Sequence, residues 1–189
     1  MNPRKILIHL TQVLFCCAVL TLSGIAAQAA TDMFLHIDGI EGESTAAGHE
    51  GSIEILSWSW GMSNSGSFSS GGGAGKVNVQ DISFVKRYDK ASPKLMEKVC
   101  TGTHIPKATL SVRVQQPDVA QTTIFEVTGV LVSSIRPGGT TGTDQLPLEE
   151  VSFNFEKIKV TYDKMEGGIS TAHESAECIN PDRVTPPVK

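Results

Sequence analysis

The alternation of apolar and polar positions predicts strands along most of this chain. Met33, Leu35 and Ile37 alternate with Phe34 and His36 and stop at Asp38-Gly39; Leu110, Val112 and Val114 alternate with Ser111, Arg113 and Gln115 and stop before Pro117. Period-two patterns separated by Gly, Pro and Ser clusters are the mark of an all-β domain. The stretch Ile124 to Ile135 is apolar on both faces for much of its length, which predicts a central strand covered on both sides. Two strands change phase midway. Ile53 and Ile55 give way to Leu56, Trp58 and Trp60 on the other parity, and Val151, Phe153 and Phe155 give way to Ile158, Val160 and Tyr162. A strand keeps its period unless an extra residue or a bend shifts it, so bulges are expected near Ile55–Leu56 and Glu156–Lys157. Strands bent in this way close a sheet into a barrel.

One helix interrupts the pattern. Ser92 is placed as its N-cap, Pro93 suits the first helical position, Leu95, Met96 and Val99 make an apolar stripe, and Gly102 is placed to end it. The one-sided stripe must lie against the outside of the barrel. Between the strand that ends in Trp58-Ser59-Trp60-Gly61 and the one that begins Lys76-Val77-Asn78-Val79 runs a Gly/Ser segment. Such a segment has too little apolar content to pack a core of its own, so a projecting contact loop is expected over Met62, Ser63, Asn64, Ser65, Gly66, Ser67, Phe68, Gly71, Gly72, Gly73 and Gly75. Past Asp163 the pattern fades into Gly167-Gly168, a polar stretch and a Pro-rich end. A flexible C-terminal tail is expected over residues 166–189, after a barrel domain over 30–165.

The N-terminal segment, positions 1–29, reads differently. Arg4 and Lys5 precede an apolar run that ends in Ala27-Gln28-Ala29-Ala30, the order of a secretory signal peptide cut after Ala29. An uncleaved membrane anchor is the alternative; His9 and Gln12 interrupt the run, and stable membrane insertion is not expected once the leader is cleaved. The whole chain carries 16 basic and 20 acidic residues; loss of Arg4 and Lys5 leaves 14 against 20, a charge of −6. What remains, from Ala30 to Lys189, has a length that suits one domain. No basic patch for nucleic acid stands out, and the charges are scattered as on a solvated surface. Cys100 and Cys178 remain after cleavage and could pair in an exported protein, although spacing leaves this open. Cys100 follows the helix stripe, where a small buried core residue is the expectation.

Candidate chemistry is sparse. Of His36, His49, His104 and His173, no two stand at a ligand spacing, and Gly102 separates Cys100 from His104, so no metal and no cofactor are expected. There is no G-x-S-x-G elbow, and Gly71 to Lys76 is not a phosphate loop because Val77 follows Lys76. No nucleophile, base and orienting group can be assembled, and an enzyme is not expected. Trp58 and Trp60 share one strand face and are expected as core anchors, which leaves Ser57 and Ser59 on the opposite, small and polar face.

Five ordered segments carry a resemblance: Gly51 to Asp81 (GSIEILSWSWGMSNSGSFSSGGGAGKVNVQD), DMFLHIDGIEGES from Asp32, SPKLMEKVCTGTHIPKATL from Ser92, VLVSSIRPGG from Val130 and VSFNFEKIKVTY from Val151. Across about residues 31 to 162 the chain resembles the haemolysin-coregulated protein family, Hcp, the tube-forming and secreted component of bacterial type VI secretion systems. The resemblance implies a mainly β fold, a β-barrel of two antiparallel sheets with one flanking α-helix, that assembles into hexameric rings. It further implies ring stacking into a tube, expulsion into target cells, effectors carried in the lumen and contact with other secretion components. Ser57 and Ser59 become candidates for the lumen face, and the loop from Met62 to Gly75 for contact with a neighbouring subunit or ring. Family tubes assemble in the cytoplasm, whereas a leader sends a chain to the periplasm; together these imply a secreted or periplasmic relative. The competing reading is a binding module for carbohydrate or another small ligand that displays aromatics, which native mass separates from a ring former.

Overall fold

The computed structural model describes residues 30–65, 76–139 and 146–183. The leader, the greater part of the Gly/Ser loop and residues 184–189 lie outside them. Ten strands and one helix make up the described chain: β1 (Ala30–Ile37), β2 (Ile53–Ser59), β3 (Met62–Asn64), β4 (Val77–Val79), β5 (Ile82–Arg87), α1 (Ser92–Thr101), β6 (Ile105–Gln115), β7 (Val119–Gly138), β8 (Leu148–Asn154), β9 (Lys157–Glu166) and β10 (Ile169–Ile179). Neighbours pair in the order β10-β9-β7-β6-β1-β2-β5-β8, and β8 pairs again with β7. That last pairing closes six strands, β7-β6-β1-β2-β5-β8, into an antiparallel barrel, with β9 and β10 continuing the sheet outward. β3 and β4 form a separate two-stranded ribbon.

Closure depends on β7, whose 20 residues serve two parts of the sheet. Its first half pairs with β6 and β9, from Ala120↔Gln115 to Thr128↔Lys157. Its second half, from Leu131 to Gly138, pairs with β8. The turn between the halves falls at Gly129, which has φ +63° and lies so close to Glu156 that an added Cβ would stand 2.4 Å from the glutamate Cδ. No other residue type fits there without strain. A bulge at Val132–Ser134 follows directly.

The phase changes in the sequence have two different causes. In β2 the register with β5 jumps between Ile55↔Lys86 and Ser57↔Val85, leaving Leu56 as the extra residue. At residues 155–156 there is a corner rather than a bulge: β8 ends, Phe155 is buried, and β9 starts at Lys157. Asn180 fastens that corner, its backbone N–H donating to the Glu156 carbonyl at 2.7 Å and its side-chain amide to the Phe155 carbonyl at 3.0 Å.

Asn180 also bears on the expected tail. Residues 169–179 form a full strand paired with β9 from Ile169↔Glu166 to Ile179↔Lys157, which corrects, over those residues, the expectation of a flexible C-terminal tail at 166–189. Its exposure explains why the pattern was invisible: β10 is an edge strand with nearly every side chain in solvent, so nothing selects alternation.

The core is filled from all six barrel strands, with Leu35, Ile37, Ile53, Ile82, Phe84, Leu110, Val130 and Phe153 almost wholly buried. Helix α1 packs against β7 through Leu95, which is fully buried, and Val99. Burial of one such leucine contributes about 1.5–3 kcal/mol. Two expectations for the helix are corrected. Cys100 and Met96 are exposed, because they lie one residue past the buried line set by Ala91, Leu95 and Val99. Ser92 is the first helical residue and not its cap; Ala91 holds the cap position without a side-chain hydrogen bond.

Candidate functional site

Ser92 is engaged elsewhere. Its hydroxyl donates to Glu149 Oε1 at 2.6 Å and accepts from Lys86 Nζ at 3.1 Å and from the Asp89 N–H at 3.0 Å. Lys86 Nζ also donates to Glu149 Oε1 at 2.6 Å, Asp89 Oδ1 at 2.8 Å and the Arg87 carbonyl at 2.9 Å. Lys86 and Glu149 are directly opposed on β5 and β8 and are both fully buried. Acceptors on every side of one ammonium offset its loss of water, while Glu149 Oε2 has no partner among the described residues. This network holds the start of α1 to β5 and β8. Sequence reasoning missed it because Lys86 and Glu149 look like solvated charges; the clue was their parity, Lys86 in phase with Ile82 and Phe84, and Glu149 with Val151 and Phe153.

The surface of interest lies on the other side of the same strands. Ser57 and Ser59 are exposed on β2, while Trp58 and Trp60 pack on the core, half-buried rather than fully buried. Trp58 meets Phe125 at a ring separation of 4.5 Å, tilted by 54°, and Trp60 faces Phe155 at 6.4 Å. Residues paired directly across strands share a face, and the register carries Ser59 into a row. Ser59 is opposite Ser83, Ser83 opposite Ser152, and Ser152 opposite Ser134. Four serines thus stand side by side on β2, β5, β8 and β7. The matching inward row is Trp58, Phe84, Val151 and Ile135. The sequence reading named only the first of the serines, since the row needs four-strand register to be seen.

Polar groups border this row on both sides. On one side Asp81 accepts from Ser133 Oγ at 2.5 Å and from Asn154 Nδ2 at 2.6 Å. On the other Arg136 stands opposite Glu150, with 3.8 Å between their charged groups. Beyond that pair lies a surface recess of about 410 Å³ walled by Val85, Pro147 and Leu148. Within the row Ser83 and Ser152 share a hydroxyl hydrogen bond of 2.8 Å.

The remaining candidates are placed as follows. Met62, Ser63 and Asn64, expected as loop, are strand β3, in register with Val79, Asn78 and Val77 of β4, so the ribbon carries the loop outward. Ser65 continues it, bonding through its hydroxyl to the Lys76 carbonyl at 3.3 Å. Gly66, Ser67, Phe68, Gly71, Gly72, Gly73 and Gly75 lie outside the described residues. Lys76 Nζ reaches Asp182 at 2.8 Å, so the root of the loop touches the segment after β10. Cys100 and Cys178 are both free thiols, one exposed on α1 and one half-buried on β10. Among the described residues no three metal-ligating side chains cluster, and no helix is long and apolar enough to cross a membrane.

Comparison with known proteins agrees with this architecture. The family model described as "Type VI secretion system effector, Hcp" matches residues 34–162. The protein hcp1 of Pseudomonas aeruginosa is 46% identical over 136 residues, which cover 70% of this chain and 83% of that relative. Among solved structures, Hcp1 from Salmonella typhimurium is similar with a TM-score of 0.63 and 30% identity, covering 81% of this chain and 97% of the other. A type VI secretion system effector from Yersinia pestis is similar with a TM-score of 0.62 and 31% identity, covering 78% and 99%.

Proposed function

Since this chain belongs to the Hcp family of type VI secretion proteins, we propose that it is a non-enzymatic, ring-forming structural protein, secreted and able to carry effectors in the ring lumen. The ring is hexameric, Ser57 and Ser59 face its lumen, and the ribbon and loop from Met62 to Gly75 touch the neighbouring subunit or ring. The observation that carries this reading is the small polar face on a closed barrel whose matched residues span nearly all of it. A wall of serines offers passage and contact without the apolar grip that would hold a passenger permanently. Residues 1–29 act as a leader cut after Ala29, so the mature protein begins its life in the periplasm.

The carbohydrate-module alternative loses its aromatic platform, since Trp58 and Trp60 are committed to Phe125 and Phe155. Light scattering with negative-stain imaging of the mature protein tests the proposal. A closed ring of about six subunits is expected; a uniform monomer at high protein concentration and moderate salt rejects it. Intact mass after expression in a Gram-negative host tests the leader, and a chain that still starts at Met1 or Asn2 refutes cleavage.

A further inference from the structure

We infer that β10 is a docking edge for a second copy of this chain: two β10 strands pair antiparallel across a two-fold axis centred on Ser175, joining their sheets into one. Among the described residues β10 pairs with β9 alone. Every second residue of such an edge turns its N–H and C=O away from the sheet, where another strand can bond to them. Residues 169–179 contain no proline and no lysine, the residues that commonly blunt an edge. The one irregularity, between Ser170 and Ala172, lies near the start of the strand and leaves the stretch from Ala172 to Ile179 regular.

The charges identify the occupant. A two-fold perpendicular to the sheet keeps each face on its own side, so every residue meets one of its own parity. Centred on Ser175, the axis sets His173 opposite Glu177 of the second copy, and Glu177 opposite the second copy's His173. Centring on Glu174 or Glu177 sets a carboxylate against itself, centring on His173 sets two imidazoles together, and centring on Ala176 opposes no charges. Register within each chain extends the match. Asp163 is opposite His173, with 2.5 Å between its carboxylate and Nδ1; Lys159 is opposite Glu177, and Glu126 opposite Lys159. Glu177 also reaches Lys157 at 3.3 Å. One row across the seam therefore runs Asp163, His173, then Glu177, Lys159 and Glu126 of the second copy, and its sign alternates at every step when His173 is protonated. Opposite charges directly across strands stabilise a sheet and like charges weaken it. At the axis Thr161 and Ser175 of one copy meet Ser175 and Thr161 of the other, small hydroxyls that both donate and accept, so that identical groups satisfy one another.

This contact goes beyond the ring reading. A closed ring repeats a head-to-tail contact in which no residue meets itself, so a two-fold seam joins two rings where rings form, and two chains where they do not.

The test puts one cysteine on the axis. In mature protein carrying Cys100→Ser and Cys178→Ala, Ser175→Cys brings two thiols to about 4.5–5.5 Å between Cα atoms, within reach of a disulfide. Thr161→Cys, one strand further in on the same row, is the control, since its two copies stand about 14 Å apart. With copper-phenanthroline at about pH 6, below the ordinary histidine value of about 6.5, Ser175→Cys should form linked dimers at least tenfold faster than Thr161→Cys. Adding Glu177→Lys should slow that linkage several-fold. In otherwise unaltered mature protein Ser175→Lys sets two ammonium groups on the axis and should halve the mass seen by sedimentation velocity, with thermal unfolding as in wild type. Equal linkage rates at the two cysteine positions, linkage indifferent to Glu177→Lys, or a mass that Ser175→Lys leaves unchanged overturns the inference. Whether the Ser175→Lys species holds six chains or one decides the ring reading separately.

Discussion

Trp58 shows how far one side chain's energetics follow from its neighbours. It is half-buried against Phe125, so Trp58→Ala should cost about 2–3 kcal/mol, less than the 3–5 of a fully buried ring; a urea titration of both proteins measures it, and a difference under 1 kcal/mol contradicts the packing. His49 gives a pH signature. Its ring stacks on Phe34 at 4.3 Å, and its pKa is lowered from the ordinary 6.5, first by burial and then by the charge of Arg113, with Glu50 and Asp32 acting in the opposite direction. The folded state therefore prefers the neutral ring. That contribution is complete above pH 6.5 and is lost as pH falls from there towards the folded value. Between pH 7.5 and 5 the wild type should lose more stability than His49→Phe, which keeps the stack; equal losses would mean that the ring titrates freely. Neither neighbour was legible beforehand. Parity placed Trp58 and Trp60 inward and Ser57 and Ser59 outward, but parity says nothing about which ring from a strand far along the chain will come to rest against them.

Elements divide into those whose burial is one-sided and those held by polar contacts. β1, β2, β6 and β8 were readable because one face meets the core and selects apolar residues at period two. β10 was not, because solvent on both faces leaves no periodic demand, and its anchor is the single buried Asn180. Truncation after Lys164 removes the partner of β9 and the two bonds that Asn180 makes to the corner at 155–156. Differential scanning calorimetry should show the melting temperature lowered by several degrees, on the order of 1–3 kcal/mol for each buried carbonyl left unpaired; an unchanged melting temperature would make the strand an ornament. The Lys86–Glu149 pair makes a sharper contrast. Lys86→Ala leaves Glu149 and Asp89 buried without their cation and should cost about 3–5 kcal/mol, whereas Lys86→Met with Glu149→Leu should cost much less. The two variants melting alike would show that the ions are not coupled.

For the molecule as a whole, the closed barrel leaves few places for assembly to act. Its six strands have no free edges among themselves, so in the proposed ring contact between copies would fall on faces, on β10, or on the ribbon and loop from Met62 to Gly75. Replacing residues 65–75 with a two- or three-residue turn should leave the melting curve intact and weaken assembly. Sedimentation velocity at several concentrations follows this, and an unchanged distribution would show the loop to be incidental. Barrel closure itself was foreseeable from the phase shifts expected near Ile55–Leu56 and Glu156–Lys157, of which the first is a bulge and the second a corner at 155–156. The third bend, at Gly129, was hidden because a continuous apolar run has no phase to lose.

The ion pair between Lys76 and Asp182 places the end of the described chain against the root of the β3–β4 ribbon. Both side chains are largely in water, so the pair is worth under about 1 kcal/mol, but it records that the last described turn lies at the foot of the β3–β4 ribbon. Anything joined directly after Arg183, whether a purification tag, a fluorescent protein or a toxin, would emerge beside the segment proposed to meet the next subunit or ring. A short appendage there would be tolerated. In stacked rings of the kind proposed above, a folded one would sit in the seam and space successive rings apart, so that the length of a linker after Arg183 becomes a handle by which stacking can be switched without touching the barrel.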